Sequence, residues 1–496
     1  MNIPHQYQLF TAAESRELDR RTIQDFGIDG FTLMEIAGTR AADFILNFVP
    51  DSSNGLILCG RGNNAGDALV VARILAEHRI SLDILFVDGV NTLSTDCEKN
   101  HQLIKRLETP HIQFITANDI DSASYQFIID GMLGTGLNSE IRSPYKEVIE
   151  QVNKIQCTKF SMDIPAGMDA DDGHALGSVF KADFTFAFGT LKKGFYWNDG
   201  YSFCGEIIFC ELPFPSTYKS NNDFLLHDDW LHKHDSEVTL RNHKYDGGVV
   251  YIIGGSEGLT GAAILASLSA WNTGVGAVVL ITPKALLPIY DEHLIQIIKK
   301  PVGTKTDVHF KTEHLEETRQ ILSEKPGVLL IGPGLGRDAE TVLFVQEIIK
   351  NIDATVVMDA DALFAISKTK KLDQYENADW ILTPHPGELH QLADSQSSNR
   401  LDVAKSVSES HNAVILSKGL PSIVISPTGS SITTNYDTRI FSRAGFGDVL
   451  AGKVAGYQLK TKNRELACCL ALSDGKSKAI DFIQSSIDPL EPMDII

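Results

Sequence analysis

Positive charge is in short supply in this 496-residue sequence: 44 Lys and Arg stand against 64 Asp and Glu, a net charge of −20 at pH 7. A field of that sign repels phosphate backbones and anionic lipid heads, so neither nucleic acid nor a membrane surface is an expected partner. An anionic ligand must therefore be held by local groups, such as backbone N–H groups at helix starts. Cysteine is scarce as well. The seven cysteines (Cys59, Cys97, Cys157, Cys204, Cys210, Cys468, Cys469) are scattered, odd in number and never spaced C-x-x-C, which argues against a disulfide framework or a zinc ribbon. The opening MNIPHQYQLFTAAESREL has no basic stretch followed by an apolar core, so no signal peptide is read and a cytoplasmic protein is expected. Long apolar runs are missing with one exception, the 26 uncharged residues between Glu257 and Lys284. Asn272, Thr273, Gly274 and Gly276 interrupt it, and it reads as a helix over 262–271, a glycine turn and a buried strand over 277–281 rather than as a membrane span.

What is present is the composition of a folded enzyme-sized protein, 43% hydrophobic and 22% charged, which excludes disorder, collagen and coiled coil; the length suggests about two to four domains. In the first half, apolar runs at 55–60, 82–88, 125–130, 159–163, 184–188 and 206–210 alternate with helical patterns. One helical stretch is FTLMEIAGTRAADFILNFV, with Thr32 and Glu35 at capping-box spacing. Such alternation predicts a parallel, doubly wound α/β sheet. The segment 212–224, rich in Pro, Ser and Asn, is read as a domain boundary. Beyond it the alternation restarts, with runs at 248–255, 276–282, 327–332, 354–361, 379–383 and 413–417, a hairpin over 422–434 and a helix from Gly447 onward. The expected architecture is two α/β domains, residues 1–215 and 225–496, with no short repeat relating them.

Three first-half segments carry candidate chemistry. A strand ending at Gly60 runs into GRGNNAGDALVVARILAE, where glycines and amides bring donors to a ligand or simply make a βα turn. IIDGMLGTGL puts Asp130 at a strand end, ahead of a loop with Gly134 and Gly136, and KFSMDIPAGMDADDG puts Asp163 at another. Two acids at the C-terminal ends of parallel strands suit acid/base work, although capping acids occupy the same positions. In the second half GGSEGLTGAAILAS and IGPGLGRD set glycine-rich turns after strands, followed by MDADAL, TPHPGEL, ILSKGLPSIV and AGFGDVLAG. In the last of these the N–H groups of Gly445, Phe446 and Gly447 at a helix start make an anion hole, and Asp448 follows in the first turn. An acid there can take a proton from a hydroxyl whose oxygen attacks a phosphoryl group held in the hole, or it can merely complement the helix dipole. Lys418 can pair with nucleotide phosphate or be a solvated lysine, and His385 can donate to a ligand or be an ordinary loop histidine.

The segments LMEIAG, GRGNNAGD, DGMLGTGL, DIPAGMDADDG and the KKGF run at Lys192, in this order over residues 9–215, resemble the N-terminal epimerase domain of the bifunctional NAD(P)H-hydrate repair enzymes. The resemblance implies a Rossmann-like domain in which Asn63, Asn64, Ala65, Gly66 and Asp67, with Gly134, Thr135, Gly136, Leu137, Asn138, Ser139 and Glu140, cradle the hydrated nicotinamide nucleotide. It further implies Asn64 and Asp130 as K⁺ ligands and Asp163 as a substrate contact and catalytic candidate. The family usually has NNGGDG, MENAG and DIPSG where this chain has NNAGDA, MEIAG and DIPAG. Ala166 thus lacks a serine oxygen that would complete the potassium shell, and a methyl group cannot coordinate a hard cation.

From about residue 225 to the C-terminus the second-half motifs resemble the ribokinase-like dehydratase domain of the same enzymes. This implies dehydration of S-hydrated NADH or NADPH coupled to an adenine nucleotide, ADP in bacterial forms and ATP in eukaryotic ones, with Mg²⁺ bridging its phosphates. Ala262, Gly334, His385 and Asp448 are expected to face the hydrate. Lys418, Gly419, Leu420, Pro421 and Ser422, with Gly445, Phe446 and Gly447, are expected to bind nucleotide, and Asp448 is expected to be the general base. The family's GGTGD is AGFGD here, so Ala444 and Phe446 leave the main-chain hole but remove a threonine hydroxyl, and Phe446→Thr is expected to raise the rate. The resemblance also implies a homo-oligomer. A nucleotide-binding regulator that has lost activity and a small-molecule kinase are the alternative functions.

Overall fold

In a computed structural model the described residues are 3–50, 52–120, 125–137, 139–219, 221–235, 248–368, 372, 379–393, 397 and 399–496. They form two compact units, Pro4–Asp223 and Phe224–Ile496.

The first unit contains β1 (Leu9–Phe10), β2 (Asn54–Cys59), β3 (Ser81–Phe86), β4 (Ile112–Phe114), β5 (Phe127–Gly131), β6 (Thr158–Met162), β7 (Phe184–Phe188), β8 (Leu191–Lys192) and β9 (Glu206–Cys210). Seven of these form an all-parallel sheet in the order β4-β3-β2-β5-β6-β7-β9, and β1 pairs with β8 separately. Both faces are covered, which is why the strands read as continuous apolar runs. On one face Ile57, Ile129, Phe160 and Phe186 pack with helices Gly30–Phe48 and Asn63–Glu77; on the other Leu56, Leu58 and Ile128 pack with Tyr145–Val152. The unit is doubly wound: from β2 the chain moves to β3 and β4 on one side, and from β5 to β6, β7 and β9 on the other. The switch therefore lies between β2 and β5, where α/β sheets leave a crevice beyond the strand C-termini. The six strands expected from the sequence are present, shifted at most by two or three residues at an end. β1, β4 and β8 were not legible because two- and three-residue strands have no period to detect. Leu212 and Phe214, inside the segment read as a boundary, belong to this unit's core.

The second unit is built on a ten-stranded sheet of β10 (Asp223–Leu225), β11 (Val249–Ile253), β12 (Val278–Pro283), β13 (Ile298–Val302), β14 (Gly327–Ile331), β15 (Thr355–Met358), β16 (Asp379–Leu382), β17 (Ala413–Ser417), β18 (Ile423–Ile425) and β19 (Ser431–Thr433). The order is β10-β19-β18-β17-β16-β15-β14-β11-β12-β13, parallel from β13 to β17 and antiparallel at β17–β18 and β18–β19. The expected hairpin is β18–β19. β13, whose sequence IKKPV hides a strand behind two lysines and a proline, occupies the edge, where a residue without an N–H is tolerated. The switch here lies between β11 and β14. The long uncharged stretch becomes helix Thr260–Asn272 and β12, and among the described residues no helix is long and apolar enough to cross a membrane. That helix packs closely on Phe446–Thr461 because Gly452 and Gly456 leave room: a Cβ would stand 2.0 Å from Ser269 Oγ at the first and 2.1 Å from Thr273 Oγ1 at the second. Ser269 Oγ also donates to Val449 O at 2.9 Å. All seven cysteines are free thiols, buried except for the half-buried Cys157.

Two candidate active sites

The first site opens at the switch between β2 and β5. The turn after β2 presses against the loop after β5: Gly60 donates its N–H to Gly131 O, and a Cβ at Gly60 would stand 1.8 Å from Met132 O. Helix Asn63–Glu77 then starts directly at the crevice. A cavity of about 500 Å³ is lined here by Asn63, Asn64, Asp67, Gly134, Thr135, Gly136 and Asp163, together with Asp19, Arg16, Thr190 and Lys192. Of the residues expected to cradle a ligand, Ala65 and Gly66 lie buried behind the wall, and Leu137, Ser139 and Glu140 are outside the lining. Asn138 falls outside the described residues. Ala65 and Ala68, which replace family glycines, place their methyl groups in the core.

Asn64 Nδ2 donates to Leu133 O at 3.0 Å, while its Oδ1 is buried without a hydrogen-bond partner. Asp130 is fully buried, accepting from the N–H groups of Met132 (3.0 Å) and Ala166 (2.8 Å) and from Ser161 Oγ (3.3 Å). Burial, only partly offset by those donors, pushes its carboxyl up to about 7. An unpartnered amide oxygen and a buried carboxylate fit a hard monovalent cation, while Ala166 offers only its methyl group.

Asp163 adopts a left-handed φ of +60° and accepts hydrogen bonds from Phe188 N–H and from the buried Lys192 ammonium, which also donates to Thr190 O at 3.2 Å. Asp163, marked in the sequence, is therefore half of an ion pair. Its partner Lys192 was visible only as part of a motif, and Asp19 had no signal at all, since an acid in the helix LDRRTI reads as a solvated face. Asp19 is exposed by surface area at the mouth of the cavity; partial loss of hydration there and then the charge of Asp163 push its carboxyl up to about 6. Asp67, enclosed more completely, is raised well above the usual range, again by burial first and by Asp163 and Asp19 second.

In the second unit the loops after β11 and β14 meet at the switch. Ser256 Oγ donates to Gly334 O at 2.9 Å, and a Cβ at Gly334 would lie 3.1 Å from that of Ala262, so two expected hydrate-facing residues are neighbours. Helix Phe446–Thr461 begins after Gly445 (φ +98°) with no side-chain cap, leaving its first N–H groups without helical partners. Lys418 Nζ stands beside this turn, 3.3 Å from where a Cβ of Gly447 would be, and donates to Asp359 Oδ1 at 2.6 Å. Thr383 Oγ1 donates to the same oxygen at 2.7 Å. Burial alone would lower the Lys418 ammonium, but the Asp359 carboxylate outweighs it and holds the lysine above its usual range. Asp448 is pushed up to about 7, by burial and then by the charge of Asp359, with Lys418 opposing.

A second cavity, of about 270 Å³, is lined by Lys418, Gly419, Leu420, Ser422, Phe446 and Gly447, six of the eight residues expected to bind nucleotide. Of the other two, Gly445 immediately precedes the helix, and Pro421 turns its carbonyl to Arg400, whose guanidinium also takes Lys418 O at 3.0 Å and so fixes the loop. Tyr436 and Phe441 add aromatic surface that the sequence reading did not single out. His385 lies outside this lining and caps helix Pro386–Leu392, its Nδ1 accepting from the N–H groups of Gly387 and Glu388. The expectation for the Phe446 side chain needs correcting. Its ring is buried in a cluster with Val449, Ala479 and Ile495 and meets Phe441 edge-on at 5.3 Å, so it is a packing residue rather than a vacant donor position.

Two family models match the chain: the YjeF-related protein N-terminus over residues 30–194 and NAD(P)H-hydrate dehydratase over residues 250–485. The bifunctional NAD(P)H-hydrate repair enzyme Nnr of Salinibacter ruber is 29% identical, covering 95% of this chain and 91% of its own length. Among solved structures, the ADP/ATP-dependent NAD(P)H-hydrate dehydratase from Bacillus subtilis co-crystallized with ATP/Mg²⁺ is similar over 55% of this chain and 95% of its own, with 22% identity and a TM-score of 0.45. The repair enzyme Nnr of Dictyoglomus turgidum is 30% identical over 93% of this chain and 91% of its own length. With both domain models in order and identity at that level along nearly the whole chain, the protein belongs to the bifunctional NAD(P)H-hydrate repair enzymes.

Proposed function

We propose that residues 1–215 interconvert the R and S epimers of hydrated NADH and NADPH, and that residues 225–496 return the S epimer to the reduced cofactor using ADP or ATP. The observation that carries the second activity is Asp448, a base in the first turn of an uncapped helix beside a cavity lined by six of the expected nucleotide residues. Hydroxide is a poor leaving group. Asp448 takes the proton of the hydrate's hydroxyl while its oxygen attacks the terminal phosphoryl group, and phosphate then leaves in place of hydroxide. The helix N-terminus and Lys418 hold the transferring phosphoryl group, and Mg²⁺ brought in with the nucleotide would supply neutralising positive charge there. Ala262, Gly334 and His385 line the hydrate's side, and the loop 418–422 holds the nucleotide. In the first unit Asn64 Oδ1 and Asp130 would hold K⁺, more weakly than with a serine at 166, and Asn63, Asn64 and Asp67 with Gly134, Thr135 and Gly136 surround the substrate. Free, mostly buried thiols support a cytoplasmic setting, and the family relationship supports a homo-oligomer.

The test is incubation of the full chain with hydrated NADH and either ADP or ATP, followed at the absorbance band of reduced nicotinamide. Recovery of NADH with one nucleotide, and phosphate release in equal amount, is the expected result. A stable phosphorylated product identifies a kinase instead, and binding without turnover identifies a regulator.

A further inference from the structure

Asp19 and Asp67 reach the first cavity from two separate helices, Ala12–Arg21 and Asn63–Glu77. Among the described residues neither carboxylate accepts a hydrogen bond or lies within ion-pair distance of a cation. The other two acids of the cavity are different in kind: Asp163 is bound to Lys192, which also donates to Thr190 O, and Asp96 is paired with Lys99 at 3.0 Å. The other cations at the cavity are committed elsewhere, Arg16 to Thr135 O and Arg61 to Asp88. Asp19, Asp67 and Asp163 thus share one cavity with a single buried ammonium already engaged, and carboxylates grouped in this way do not all ionise readily.

We propose that Asp19 and Asp67 are the proton donor and acceptor of the first unit's epimerisation, while Asp163 and Lys192 hold the substrate. The inference rests on the epimerase reading given above. Hydration of a dihydropyridine leaves a ring carbon bonded both to a hydroxyl and to the ring nitrogen. One carboxylic acid of the pair protonates that hydroxyl, the C–O bond breaks, water departs, and the nitrogen lone pair closes a C=N bond. Water then adds from the opposite face, the π pair returns to nitrogen, and the second carboxylate takes the proton lost by the water. One proton has left one acid and one has arrived on the other, and no oxidant or reductant is involved. The reverse inversion uses the same two groups with their roles exchanged. Crowding raises both acids above their usual range, in keeping with a pair that retains one proton near neutrality.

The titratable or charged groups facing the pair are Asp163 and Lys192, with Arg16, Arg61, Asp96 and Tyr145 on the surrounding wall. The experiment uses the full chain with the R hydrate of NADH in ¹⁸O-water, nucleotide omitted so that only the first unit acts, with chiral separation and mass spectrometry as readouts and uncatalysed inversion subtracted. The unmodified protein should give a bell-shaped pH profile and place solvent ¹⁸O on the hydroxyl-bearing carbon at each inversion. Asp19→Asn and Asp67→Asn should each slow inversion by about 100-fold or more, with the double variant little slower than the worse single one, as for groups that act as a unit. Inversion without ¹⁸O entry overturns the proposal, as does a folded Asn variant within about threefold of the unmodified rate. Should a variant fail to fold, the pH profile and isotope entry of the unmodified chain still decide. An unmodified protein that leaves the epimers untouched refutes the epimerase reading itself, whereas competent variants refute only the pair.

Discussion

Asp448 holds a proton in the folded protein at pH values where the unfolded chain has released it, because its carboxyl is raised from 3.8 to about 7. Its effect on stability is therefore full below about pH 4 and is lost as pH rises through about 7. In the proposed role of general base it must be ionised, so dehydration should accelerate over the same interval in which stability declines. Asp448→Asn should keep the fold and nucleotide binding, lower turnover by about 100-fold or more, and raise the melting temperature more at pH 8 than at pH 5. Turnover measurements and melting curves at the two pH values check both halves of that expectation. Ala166 poses a different question. Its N–H already serves the Asp130 carboxylate, and a serine there would add an oxygen beside the buried acid. Ala166→Ser should then lower the K⁺ concentration at half-maximal epimerisation, and an unchanged titration would count against a cation bound through Asn64 and Asp130.

Helix Phe446–Thr461 is the element on which the second site depends, since it supplies both the N–H groups and Asp448. Phe446 anchors its start by burying a ring among Phe441, Val449 and Ile495. Phe446→Thr should therefore destabilise the protein by about 3 kcal/mol, the scale of truncating a buried phenylalanine, and a denaturant titration reads this directly. That sets a stability cost beside the faster turnover expected from the motif alone, which an assay of the variant checks. A motif records which residue type is absent but not which way the replacement points. The helix start, the glycine turns, Asp130, Asp163 and Lys418 were legible because strand, turn and helix signals bracket them. Asp359 was marked only as part of MDADAL, and Asp19 and Tyr436 were not legible, since each owes its place to chain segments far away in sequence. The same holds for the edge strand β13, where Lys299, Lys300 and Pro301 mask the pattern.

At the scale of the whole molecule, each unit has its own sheet, its own core and its own cavity. Residues 225–496 expressed alone should fold and dehydrate the S hydrate, with a cooperative melt and NADH recovery as the two readouts. Loss of either would place structural dependence on the first unit. Within both units the thiols are shielded, and burial pushes those of Cys59, Cys204, Cys468 and Cys469 well above their ordinary range. A protonated, enclosed thiol is a poor nucleophile and a poor target for peroxide. Of the seven, Cys157 alone is half-buried, so a maleimide should label about one site per native chain and all of them after unfolding. A protein whose task is to restore chemically damaged cofactor thus keeps six of its seven thiols out of reach, and mild alkylation of the native chain should leave its activities standing.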